Sequence, residues 1–209
     1  MTQEPTKGAV IRLVELVLAS GAAFHYGRIP TYFGTVPRVE AVLALASGES
    51  LLDVGCGTGL FAPVARGTYV GIDTARAYLR FGQRRAENGT HFFVAMSVLD
   101  LGFAPRTFDK AIVVNLVHHL DAAAVDQLLI ELNRIVRRKV VLMDAAPEAA
   151  NRFERFLLRH DRGDYIRDRA ALRALLGRHF EIESEDVCHN ALRTVPQVIF
   201  GLVPKTLGL

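Results

Sequence analysis

Nine consecutive residues narrow the fold more than any other stretch of this 209-residue chain: Leu51-Leu52-Asp53-Val54-Gly55-Cys56-Gly57-Thr58-Gly59. A short apolar run ends in an acid and opens into three glycines at alternate positions. The apolar run reads as a strand, and the segment from Leu60 as a short helix. Glycines at such a junction let the backbone turn sharply and let a ligand lie against bare main chain. The helix start beyond them offers unpaired N–H groups. The spacing is G-x-G-x-G. A dinucleotide fold wants G-x-G-x-x-G, and Leu60 stands where its last glycine belongs. Asp53, inside the strand, suits a cationic ligand group better than a pyrophosphate.

Tyr69 to Asp73 reads as a second strand, and Asp73 follows Asp53 by 20 residues. An acid at that place and spacing grips ribose hydroxyls. The pattern therefore asks for an adenosine-type nucleoside with a positive appendage and no phosphate, a description that S-adenosylmethionine meets. The alternative is a tight glycine turn whose strand-end acid caps a helix.

Short apolar runs alternate with helical segments through the middle of the chain. Strands are expected at His91–Met96, Phe108–Val114 and Val140–Met143. Helices are expected at Ala75–Glu87, stopped by Asn88-Gly89, and from the capping Asp121 to Arg137. Runs apolar on both faces suit strands covered by helices on each side. The alternation predicts an α/β, doubly wound, mostly parallel sheet. Further on, helices are expected at Asn151–Arg159 and at Arg169–Leu176, the latter capped by Asp168 and closed by Gly177. Strands Phe180–Val187 and Val195–Val203 are joined by a link too short for a helical crossover, which predicts an antiparallel pair. Before the sheet, Thr6–Phe24 reads as helix and Gly21–Pro37 as a connector carrying His25, Tyr26, Arg28, Tyr32 and Phe33. Pro37 opens a second helix to Ser47. This organisation is a single domain over 1–209, with an N-terminal helical cap at 1–47, a core at 48–209 and a helical insert at 148–177.

Composition excludes several classes. Lys and Arg number 25 against 22 Asp and Glu, a net charge of +3, and 50% of residues are hydrophobic. That is too apolar and too balanced for disorder, and a charge of +3 over this length is weak evidence for the basic face of a nucleic-acid binder, so no nucleic-acid partner is expected. The apolar stretch Gly8–Phe24 is broken by Arg12 and Glu15 and falls short of the ~20 residues a membrane span needs, so no stable membrane insertion is expected. Cys56 and Cys188 form no disulfide framework, which predicts a reducing, cytoplasmic setting. No Cys/His cluster has metal-ligand spacing, so no metal is expected.

The stretch Leu51–Gly59 resembles the first motif of class I S-adenosylmethionine-dependent methyltransferases, and Tyr69–Asp73 resembles their second. Leu99-Asp100-Leu101, Phe108-Asp109 and Val117-His118-His119-Leu120 resemble the later segments of the small-molecule, quinone-biosynthesis-like branch. The resemblance implies a seven-stranded Rossmann-like sheet with an antiparallel last strand and an N-terminal helical lid. It implies that Asp53 and the backbone of Gly55, Cys56, Gly57, Thr58 and Gly59 hold the methionine end of the cofactor. Asp73, with Thr74, would take the ribose. Ser97 and Val98 would flank the adenine, and Asn115 and Leu116 would form the floor beneath the sulfonium. Two departures stand out. Ser97 replaces an acid found in many relatives, and Arg137-Arg138-Lys139 replaces a proline-glycine turn and reads as a solvated loop.

The acceptor is less legible. Asn115-Leu116-Val117-His118-His119 replaces the N-P-P-Y type of segment used by amino-methylating enzymes, which argues against base methylation. His118 or His119 is expected as a base, the alternative being that they orient the loop. Tyr26 and Tyr32 in the lid, and Tyr165 and Arg167 in the insert, are the expected acceptor contacts. The expected activity is methylation of a small organic, lipid-like or natural-product molecule. Cyclisation, aminocarboxypropyl transfer and a non-catalytic cofactor-binding subunit remain as alternatives, and the oligomeric state stays open.

Overall fold

The computed structural model describes residues 20–32, 34–86, 89–152, 164–189 and 195–205. The helix expected at Thr6–Phe24 lies outside these residues up to position 19. So does most of the one expected at Asn151–Arg159.

Seven strands form one sheet: β1 Leu51–Val54, β2 Tyr69–Asp73, β3 His91–Ala95, β4 Phe108–Val114, β5 Val136–Ala145, β6 Phe180–His189 and β7 Pro196–Pro204. Their spatial order is β3-β2-β1-β4-β5-β7-β6. β1 pairs parallel with β2 and β4, while β7 runs antiparallel between β5 and β6. This is the α/β, mostly parallel sheet expected from the sequence, with its antiparallel last strand. Pro196 opens β7, where a missing donor costs no interior ladder bond.

The runs apolar on both faces follow from burial on both faces. Along β4, Ala111 and Val113 enter one core while Ile112 and Val114 enter the other; along β5, Val140 and Leu142 alternate with Val141 and Met143 in the same way. The first core is closed by α4 (Ala122–Ile135) and α5 (Arg169–His179), through Leu128, Leu129, Leu132, Leu172 and Leu176. The second is closed by α1 (Gly21–Tyr32) and α2 (Val36–Leu43), through Tyr32, Val39 and Leu43. α3 (Arg76–Arg85) follows β2. Asp121 and Asp168 cap α4 and α5, each accepting an N–H at 2.8 Å. Among the described residues no helix is long and apolar enough to cross a membrane.

Three local expectations are corrected. Gly21–Tyr32 is helix rather than connector, because Phe24 stacks on Tyr78 of α3 at 4.2 Å between ring centroids. Gly177 does not close α5, which runs on to His179. Arg137-Arg138-Lys139 is strand rather than solvated loop: β5 begins at Val136, directly after α4, and pairs with β4 from Phe108. Its three cations reach acids on neighbouring elements: Arg137 to Asp109 at 3.2 Å, Arg138 to Glu49 at 3.0 Å and Lys139 to Glu183 at 2.5 Å.

Candidate active site

All parallel strands end on one edge of the sheet, where ligands of such folds bind. A cavity of about 430 Å³ opens there, lined among others by Asp53, Gly55, Cys56, Gly57, Asp73, Thr74, Ser97, Val98, Asn115, Leu116 and His119. Its volume lies in the ~300–1,000 Å³ range of small-molecule sites.

The loop after β1 is built for close approach. Gly55 and Gly57 have φ of +72° and +55°, which side chains resist. A Cβ at Gly55 would lie 3.0 Å from Leu116, and one at Gly57 3.0 Å from Phe24. Asp73 sets the shape of this loop. Its Oδ2 accepts the N–H of Gly57 and its Oδ1 that of Ala75, both at 2.8 Å. A carboxylate has about four lone-pair sites, so Asp73, which also lines the cavity, retains acceptor capacity for a ligand.

Asp53 is buried, and its Oδ2 accepts a hydrogen bond from Tyr69 Oη at 2.7 Å. Burial pushes its carboxyl up to about 7, against the Tyr69 hydrogen bond and helped by the charge of Asp73. A cation arriving in the cavity would relieve that cost. These two acceptors thus fit a ligand with a positive end near Asp53 and hydroxyls near Asp73. Cys56 is packed under the loop: a Cβ at Gly71 would lie 2.8 Å from its sulfur. Burial pushes its thiol well up, with Asp53 and Asp73 adding to the shift, so it is a poor nucleophile. Ser97 Oγ accepts from Leu99 N at 3.2 Å and stabilises the turn after β3.

Asn115 follows β4 in a left-handed conformation, φ +51°. Its amide is fixed from both ends: Gln197 Nε2 donates to Oδ1 at 2.8 Å, and Nδ2 donates to Tyr32 Oη at 3.0 Å. Tyr32 lines the cavity and so ties α1 to the ends of β4 and β7.

The two histidines part company. His118 is buried, with Nδ1 2.6 Å from Asp144 Oδ1 and its own N–H bonded to Asp144 Oδ2 at 3.2 Å. It is absent from the cavity lining and anchors the turn to β5. His119, exposed, lines the cavity, with its ring centroid 4.1 Å from that of His118.

Besides His118, five expected contacts lie off this cavity: Thr58, Gly59, Tyr26, Tyr165 and Arg167. Thr58 points the other way, its Oγ1 2.9 Å from His25 Nδ1, and faces a separate 280 Å³ space with Gly59. Tyr26 is 59% exposed, its hydroxyl 3.4 Å from an Arg85 nitrogen. Tyr165 is exposed and donates its N–H to the His118 carbonyl at 3.0 Å. Arg167 spends its guanidinium on the carbonyls of Val117, Leu120 and Tyr165 at 2.8, 2.7 and 3.0 Å, which fixes the turn carrying the histidines. Phe24, Leu60, Phe61 and Tyr78 line the cavity without having been singled out in the sequence. Only Tyr78 left a signal, an aromatic one turn into the helix that follows Asp73.

Residues 52–144 match the family described as methyltransferase domain. An O-methyltransferase of Penicillium expansum, cnsE, is 32% identical over 126 residues, a match covering 54% of this chain and 45% of that protein, so the chain spans about half the length of this curated relative. Among solved structures, the complex between the Haloferax volcanii Trm112 methyltransferase activator and a methyltransferase superposes with a TM-score of 0.76 at 15% identity. It covers 90% of this chain and 96% of that one. Magnesium protoporphyrin IX methyltransferase from Synechocystis PCC 6803, with bound SAH, gives a TM-score of 0.66 at 22% identity, covering 82% and 83%. Residues 52–144 are thus similar to a methyltransferase domain, and the seven-stranded sheet around them has the fold of these solved methyltransferase structures.

Proposed function

We propose that the chain binds S-adenosylmethionine in the 430 Å³ cavity and transfers its methyl group to a small organic acceptor. The observation that carries this reading is Asp53, a carboxyl on the cavity wall whose pKa burial pushes up to about 7 and which a cation would stabilise in its charged form. The ammonium of the cofactor's methionine end is such a cation. Asp73 would accept from the ribose hydroxyls while keeping its two loop bonds. Ser97 and Val98 would flank the adenine, with Asn115 and Leu116 forming the floor beneath the sulfonium. The bound cofactor supplies a methyl carbon on a sulfonium, released to the acceptor as the C–S electron pair returns to sulfur.

The chain then has to orient the acceptor, exclude water and remove a proton where the acceptor carries one. His119 is placed at the rim for the last task. His118, held by Asp144, and Arg167 position the turn. The Penicillium relative's description as an O-methyltransferase supports oxygen as the acceptor atom.

Calorimetry with S-adenosylmethionine tests the cofactor. Asp73→Ala should lose charge-assisted hydrogen bonds worth about 1.5–3 kcal/mol, on the order of 10- to 100-fold in affinity. Unchanged binding in that variant, or NADH binding as tightly as S-adenosylmethionine, would overturn the assignment. Mass spectrometry of the spent cofactor tests the chemistry. S-adenosylhomocysteine reports methyl transfer, and methylthioadenosine reports aminocarboxypropyl transfer instead.

A further inference from the structure

Beside the cavity lies a groove of about 320 Å³, lined by Ile29, Tyr32, Gly34, Val36, Pro37 and Leu60. Tyr32 and Leu60 line the cavity as well, so the two spaces share a wall made of two side chains. The groove contains no charged group among its described residues, and its one polar side chain is Tyr32 at the seam. A Cβ at Gly34 would meet nothing within 4 Å, so the space there is open.

Tyr32 is fixed at several points. Its ring meets Phe61 edge-on at 5.6 Å, its carbonyl accepts both the N–H and the hydroxyl of Thr35, at 3.0 and 2.9 Å, and its hydroxyl accepts from Asn115. Behind Asn115 stands Gln197. The seam is therefore a rigid post rather than a movable flap.

We propose that this groove holds the apolar body of the acceptor, whose reacting end passes Tyr32 into the cavity. The acceptor class follows from the lining: an uncharged, lipophilic molecule with its nucleophilic group at one end, such as a fused-ring phenol. A carboxylate or ammonium lying against Ile29, Val36 and Pro37 would lose hydration and find no charged partner among the described lining residues. The acids of the site, Asp53 and Asp73, line the cavity and not the groove. The sequence pointed to a pocket between the lid, with Tyr26 and Tyr32, and the insert, with Tyr165 and Arg167; the groove takes Tyr32 from the lid side and no described residue of the insert. The groove lies between α1 and the start of α2. This inference rests on reading the cavity as the cofactor's.

The test uses the full chain, with 1-naphthol and 1-naphthoate as probes in the presence and absence of saturating S-adenosylhomocysteine. Calorimetry should show 1-naphthol binding and 1-naphthoate binding at least about tenfold more weakly, the mark of an unpaired buried charge. Ile29→Trp, which fills the groove from an exposed helix position, should weaken 1-naphthol by at least about tenfold and leave S-adenosylhomocysteine affinity unchanged. In the wild-type protein, intermolecular NOEs should connect the naphthol ring to the Ile29 and Val36 methyls. Equal binding of the two probes, undiminished binding to Ile29→Trp, or NOEs to other methyls alone would overturn the proposal. An N-terminal segment of the chain occupying the groove would appear as NOEs from residues 1–19 to these methyls and would also overturn it. Because the NOEs are read without the nucleoside too, failure of S-adenosylhomocysteine to bind sinks the cofactor reading separately.

Discussion

Asp53 is where folding and function pull in opposite directions. Its folded acidity, about 7, lies above the ordinary 3.8, so the folded chain binds this proton more tightly than the unfolded one. The stability it contributes is full below pH 4 and is lost as pH rises through about 7. Asp53→Asn should therefore melt higher than the wild type at pH 8, and the difference between them should vanish toward pH 4, as differential scanning calorimetry would show. The same variant should bind S-adenosylhomocysteine on the order of 10- to 100-fold more weakly, the scale of a lost charge-assisted bond. Wild-type affinity should improve by up to about tenfold per pH unit below pH 7 and level off above it, since the ammonium needs the ionised carboxylate. A variant that melts lower at pH 8 would mean that the carboxylate is paired and not a burden. Asp53 and Asp73 were legible in the sequence because strand position and glycine spacing fix them locally. The role of Thr58 was not, since its direction depends on His25, which lies 33 residues earlier and meets it only in the fold.

Among the elements, the central strands were readable because both faces are buried and most of their residues had to be apolar. Helix starts were readable where an acid caps them, at Asp121 and Asp168. α1 was not: Gly21, Gly27 and Pro30 are helix breakers by local rule, and what holds them helical is packing, with Phe24 on Tyr78 and Tyr32 on Phe61. The first half of β5 was missed for the converse reason. Three cations read as solvent-facing loop, whereas the β4 ladder and the acids Asp109, Glu49 and Glu183 hold them as strand. The short turn Val117–His119 is held by Arg167 from outside as well as by its own His118. Arg167→Met should remove hydrogen bonds from a charged donor worth about 1.5–3 kcal/mol and lower Tm by roughly 3–12 °C. Turnover should fall further than S-adenosylhomocysteine affinity, because His119 moves while the glycine loop does not. Equal losses in both would assign Arg167 to the fold alone.

For the whole molecule, the charge balance bears on partners. A net charge of +3 over 209 residues gives little to attract phosphates, and many of the described arginines and lysines already meet acids. Fluorescence anisotropy should find only weak, salt-sensitive association with duplex DNA or transfer RNA. Submicromolar binding at physiological salt would contradict this and move the acceptor from small molecule to nucleic acid.

The placement of β7 also sets an order of events during synthesis. β6 joins the sheet only through β7, and β7 follows it in the chain. While the polypeptide emerges from the ribosome, β5 keeps an open edge, and β6 has no strand to dock on until residues 196–204 have left the tunnel. Gln197, which aims Asn115 and through it Tyr32, arrives with that strand. The nascent chain can therefore assemble its glycine loop and both acids well before the post between cavity and groove is locked. On the proposed reading, nucleoside capture would precede acceptor discrimination in the making of the protein, and the edge of β5 is the surface a chaperone would have to shield in the interval.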